Sequence, residues 1–135
     1  MSAELREGVL AVLRADAIIT ASGTPVWDTA PRGTEHPYIA LGEESLDDDG
    51  YDYGPDRVDG MIVNLGVHVW ARENVAPQCR VLTKAVRNAL HENEEIAIAG
   101  HRLISALHTA TQYPPDPDAN VEHGVVMFEF LIETV

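Results

Sequence analysis

Residues 61–70 alternate without a break. Met61, Val63, Leu65, Val67 and Val69 form one row, and Ile62, Asn64, Gly66, His68 and Trp70 form the other. A period of two marks a half-buried strand. After the link Ala71-Arg72-Glu73 the period changes: across residues 74–91, Val75, Cys79, Leu82, Val86 and Leu90 recur at spacings of three and four, with Lys84, Arg87 and Asn88 elsewhere on the circle. That is an amphipathic helix with one apolar stripe. So short a link folds the helix back over the strand's apolar row, which makes this strand-helix unit the expected nucleus of the core.

The flanking chain reads as further pieces of one layer structure. An N-terminal helix is expected from Ser2 to about Ala15 or Asp16, with Leu5, Val9, Val12 and Leu13 inward and Glu4 in the first turn, where the helix dipole favours an anion. Gly8 weakens it by up to about 1 kcal/mol relative to alanine, so it depends on docking. Residues 18–34 carry Gly23, Pro25, Pro31 and Gly33 around Val26-Trp27 and read as loop with a short strand. A strand is expected over 38–46, with Ile39 and Leu41 opposite Tyr38, Ala40 and Gly42. Residues 43–60, with Glu43, Glu44, Asp47, Asp48 and Asp49, read as a long acidic loop, and such length inside a compact domain points to function or disorder. A strand over 102–112 sets Leu103, Ser105 and Leu107 against Ile104, Ala106 and His108, and a proline-rich turn follows at 113–120. The last strand, 121–134, puts Val126, Phe128, Phe130 and Ile132 on one face, with Glu122 and Gly124 assigned to the other.

The order helix, strands, helix, strands predicts a single α+β domain over 1–135: a mostly antiparallel sheet with two helices packed on one face. The opposite face, with Trp70, His68, Asn64 and Tyr38, is too apolar to suit water and is a candidate subunit interface.

Composition narrows the classes. A chain of 135 residues buries about two thirds of its unfolded surface without a staple. Its single cysteine, Cys79, falls on the apolar stripe, where it reads as a small core residue. No apolar run reaches the roughly 20 residues of a membrane span, and the N-terminus lacks the basic-then-apolar order of a signal peptide, so the expectation is a soluble protein made in the cytoplasm. The net charge of −13, from 22 acidic and 9 basic residues, argues against a surface that grips nucleic acid through its phosphates, which needs clustered Lys and Arg.

No catalytic or metal motif emerges. Asp116, Asp118 and Asn120 open like a calcium loop, but Val121 stands where glycine is needed and Met127 where the bidentate glutamate belongs. His36, His68, His91, His101, His108 and His123 show no short ligand spacing, though two on neighbouring strands can still meet in space. Ser22, Ser45 and Ser105 lack a nucleophile turn, and the glycines form no phosphate-binding or dinucleotide loop. The expectation is no enzyme, no cofactor and no bound metal.

One pattern spans nearly the whole chain: Val26-Trp27-Asp28 before a proline loop; His36-Pro37-Tyr38-Ile39 opening a strand; Val67-His68-Val69-Trp70 with Ala71-Arg72; Ala85-Val86-Arg87-Asn88-Ala89-Leu90-His91; Gly100-His101-Arg102-Leu103; and Asp116 to Asn120 leading to His123-Gly124-Val125. In order and spacing it resembles the tail terminator or tail-completion proteins of long-tailed phages, prophages and gene transfer agents. The resemblance implies a ring, typically of six copies, at the head-tail junction of the particle. Such a ring caps the tail tube, stops its polymerisation and joins the head connector, while DNA passes through unbound. Its partners would be further copies of itself, the tail tube protein and a connector or stopper protein, with no membrane involved.

Ring closure needs two different patches on each subunit. The candidates are Trp70 and His68 on the exposed sheet face, the loop tyrosines Tyr51 and Tyr53, and a strand edge; Asp47, Asp48 and Asp49 are candidates for an acidic lining of the DNA channel. Two other functions fit the charge and the missing chemistry. One is a different head-tail connector, a stopper or head-completion protein; the other is an acidic inhibitor that mimics DNA, which would need a broader carboxylate surface than loops provide.

Overall fold

The structure is a computed structural model that describes residues 2–48, 60–72 and 77–134. In chain order it comprises α1 (Ser2–Ala15), α2 (Ala17–Ser22), β1 (Val26–Trp27), β2 (Tyr38–Asp48), β3 (Gly60–Arg72), α3 (Gln78–Leu90), β4 (His101–Gln112) and β5 (Val121–Thr134). The five strands form one sheet in the order β1-β2-β3-β5-β4, antiparallel except for the short parallel pairing of β1 with β2. All three helices cover one face, giving the α+β architecture that the periodicities predict.

The nucleus behaves as its pattern requires. Val63, Leu65, Val67, Val69 and Ala71 of β3 are fully buried, and the α3 stripe of Cys79, Leu82, Ala85, Val86 and Leu90 closes over β3 and its partner β5. Leu5, Val9 and Leu13 of α1 join the same core, with α1 lying against α3. Gly8, a weak residue for a helix, is required by this docking: a Cβ there would run into the backbone carbonyl of Ala97. Arg6 ties α1 to the sheet, donating to Asp28 (2.6 Å), to Glu44 (3.0 Å) and to the Gly42 carbonyl (3.2 Å).

Four expectations are corrected. The described residues form three helices rather than two. Ala17–Ser22, expected as loop, is a helix too short to display a period; Asp16 caps it by accepting from the amides of Ile18 and Ile19, and Gly23 ends it in the left-handed conformation at φ 73°. Secondly, β2 runs on to Asp48, so the first six residues assigned to the acidic loop at 43–60 are strand. A bulge between Leu41 and Glu44 interrupts the alternation there, which hid the continuation. Thirdly, Glu122 and Gly124 lie on the helix face together with Val126 and Phe128. Even numbers in β5 share one side, and a side chain at 124 would meet Thr83 and Cys79 of α3. Finally, the register shifts between Leu103 and Ser105. Leu103 and Ala106 therefore pack inward, while Ser105 and the 40 % exposed Leu107 turn outward, where simple alternation put Ser105 and Leu107 beside Leu103.

Candidate functional site

The sheet face away from the helices carries the densest side-chain cluster outside the core. Register places Tyr38 of β2 opposite Trp70 of β3, and Trp70 opposite His123 of β5. Directly opposed side chains on one sheet face approach closely enough to stack. Tyr38 and Trp70 stack with centroids 5.0 Å apart, and Trp70 and His123 at 4.6 Å with planes 8° apart. His36, just before β2, extends the row by stacking on Tyr38 at 5.4 Å. His68, two residues before Trp70, stacks on both Trp70 and His123.

The imidazoles are also bonded in line. His68 Nδ1 lies 2.7 Å from His123 Nε2, and His68 Nε2 lies 2.7 Å from a carboxylate oxygen of Glu43. A carboxylate accepts, so with both rings neutral the His68 Nε2–H donates to Glu43, and its bare Nδ1 accepts from the His123 Nε2–H. Two glycines make room for this chain. A Cβ at Gly42 would strike the His68 ring, and one at Gly66 would strike the Glu43 carboxylate.

Burial and then the neighbouring His68 lower the His123 pKa below its ordinary 6.5, against the pull of Asp116 and Glu43. Partial burial pushes the Glu43 carboxyl up, but hydrogen bonds from its own backbone amide and from His68 outweigh burial and hold it below 4.5. Near neutral pH the chain is therefore an ionised carboxylate beside neutral His123, a preorganised polar seam within an aromatic row. Both nitrogens of His68 are committed to it. Among the described residues no group of three His, Cys, Asp or Glu side chains is disposed to hold a metal ion.

The structure brings together the candidate residues His68 and Trp70 with Tyr38, which the pattern also places on this face, and adds Glu43 and His123. His123 escapes a local reading because its place depends on β5 pairing with β3, and nothing near residue 123 states that register. Asp47 sits exposed near the end of β2, opposite Ile62. Asp48 closes that strand, whereas Asp49, Tyr51 and Tyr53 lie outside the described residues. Asp116 and Asp118 turn inward on their own loop, each accepting at 2.9 Å from the amide two residues on, as local turns do. Cys79 is buried, and burial followed by Glu122 pushes its thiol up to about 11. No described helix is long and apolar enough to cross a membrane.

Comparison with known proteins gives three findings. The sequence model of the family described as Tail completion protein gp17 matches residues 7–133. A chain in the structure titled "Virion of native gene transfer agent (GTA) particle" superposes with a TM-score of 0.80 at 22% identity, covering 95% of this chain and 93% of that one. The chain in "Structure of bacteriophage SPP1 gp17 protein" superposes with a TM-score of 0.59 at 15% identity, covering 99% and 90%. At these identities the two superpositions establish a common fold. No curated protein sequence matches the chain significantly.

Proposed function

Since the chain belongs to the tail completion protein gp17 family, we propose that it is a tail terminator: a ring of identical subunits, six in the simplest reading, that caps the tail tube and stops its growth. The ring joins the tail to the head connector, placing the protein at the head-tail junction of a phage or gene transfer agent particle. The role is structural, and no catalytic step belongs to it. The observation that carries the reading is the family match over residues 7–133. The half-exposed aromatic row of Tyr38, Trp70 and His123 supports it by supplying a surface that association would cover.

The net charge of −13 suits a ring threaded by DNA. A duplex carries one negative charge per about 1.7 Å of axis, and a basic channel would hold it through counterion release. An acidic rim lets it slide. Asp47, Asp48 and Asp49 are the residues assigned to that rim, and Tyr51 and Tyr53 to contacts with a neighbour or the tube. Replacing both tyrosines with alanine is expected to weaken assembly while leaving the monomer folded; normal assembly of that double variant would remove them from the interface.

The test is mass by light scattering, first on the protein alone and then with purified tail tubes, with electron microscopy of the tube ends. A new ring at one end that arrests growth is the expected result. Binding to a capsid connector and not to tubes would instead make the protein a stopper or head-completion component, and binding to neither would overturn both.

A further inference from the structure

Building on the ring reading, we propose that the outer face of α3 of one subunit seats on the open sheet face of the next, so that these two surfaces are the two halves of the ring contact. A closed ring with more than two members needs two different patches per subunit. The open sheet face is one, and the molecule carries a complementary surface on its opposite side.

That surface is singular in charge. The chain holds 9 basic residues against 22 acidic ones, yet α3 contains Arg80, Lys84 and Arg87 and no acidic residue. Arg80 and Lys84 are exposed and Arg87 is half-exposed. Lys84 makes no ion pair among the described residues. Between Arg80 and Lys84 stands Val81, a large apolar side chain that is 46 % exposed. The other docked helix does not offer this: the outward positions of α1 include Glu7 and Ala11 beside Arg14.

Across the molecule, the open sheet face shows the opposite sign. Glu43, Asp47, Glu129 and Glu133 point to that side; they are countered by Arg72 and by Arg102, which already pairs with Glu133. Exposed Leu107 and the aromatic row supply the apolar ground against which Val81 would lie. Complementary charge around an apolar centre fixes orientation and excludes the wrong pairing of sheet face with sheet face, where carboxylates would oppose carboxylates. Because the two surfaces lie on opposite sides of one domain, each subunit can use both at once. Stacking helix layer on sheet layer then continues past a dimer, and it closes into a ring through the rotation between successive subunits.

Two charge-reversed variants test this, Lys84→Glu/Arg87→Glu on the helix and Glu43→Lys/Glu129→Lys on the sheet, with circular dichroism and thermal melts to show that each is folded. If the sheet variant fails to fold, the single pair Lys84→Glu and Glu129→Lys replaces the doubles. Each variant alone is expected to associate at least tenfold more weakly than the native chain on tail tubes. An equimolar mixture, one partner isotopically labelled, should restore rings in which the two alternate, read by native mass spectrometry. Variants that each assemble like the native chain, or a mixture that stays monomeric, would overturn the pairing while leaving the ring reading intact. If the native chain itself forms no ring on tubes, the ring reading fails first.

Discussion

The two faces of this sheet are built from the same strands and have opposite characters. On the helix side, Phe128, Phe130, Ile132, Val63 and Leu65 are fully buried in one apolar core cluster. On the open side, one residue along each strand, the chain places Tyr38, His68, Trp70 and His123, half-exposed and stacked in a row, with His68 hydrogen-bonded to both His123 and Glu43. The covered face is stabilised by volume and exclusion of water. The open face is held by ring stacking and hydrogen bonds, and its rings stay half-exposed. Folding in this protein rests on the covered face, and the open face is the one proposed to meet another subunit.

Substitutions should separate the two roles. Phe128→Ala removes a fully buried ring and is expected to cost about 3–5 kcal/mol in denaturant unfolding. A cost below that of an open-face change would break the contrast. Gly8→Ala comes next and tests a sign: helix propensity alone predicts a gain of up to about 1 kcal/mol, whereas the Ala97 carbonyl against that position predicts a loss of about 1–3 kcal/mol by overpacking. Trp70→Ala removes the centre of the aromatic row and should cost the monomer about 1–2 kcal/mol of stacking, with a much larger loss of association measured by light scattering.

The smallest effect concerns pH. His123 titrates lower in the folded protein than its ordinary 6.5, so the unfolded chain binds more protons in that window and stability rises with pH. This increment is fully present above 6.5 and lost as pH falls through the folded value. His123→Gln should flatten that part of a melting-temperature profile, and a profile unchanged by the substitution would show that the seam does not couple to folding.

Much of the covered face is legible in the sequence, because water dictates it. The alternation of 61–70 and the stripe from Cys79 to Leu90 each report burial residue by residue, and both faced inward as their periods require. What was not legible depends on register and on single-residue insertions. The bulge after Leu41 concealed the second half of β2, and the shift between Leu103 and Ser105 turned Ser105 and Leu107 outward. The helix at 17–22 has caps but too few residues for a period. The open-face site needs strand pairing above all: Trp70 and His68 stand out by residue type in a polar row, but His123 joins them only when β5 is laid beside β3 in a particular alignment.

The shortness of β1 has a consequence for the life of the free subunit. With two residues it pairs only with Ile39 and Ala40, so no other described strand borders that side of β2 from Leu41 to Asp48. Unpaired strand borders invite runaway zippering between molecules. Here the border is bent by the bulge after Leu41 and carries the exposed carboxylates of Glu43 and Asp47, so that two such borders repel before they can align. An edge so guarded resists strand-to-strand zippering between copies of the chain, and contact between subunits is left to side chains rather than to backbone pairing.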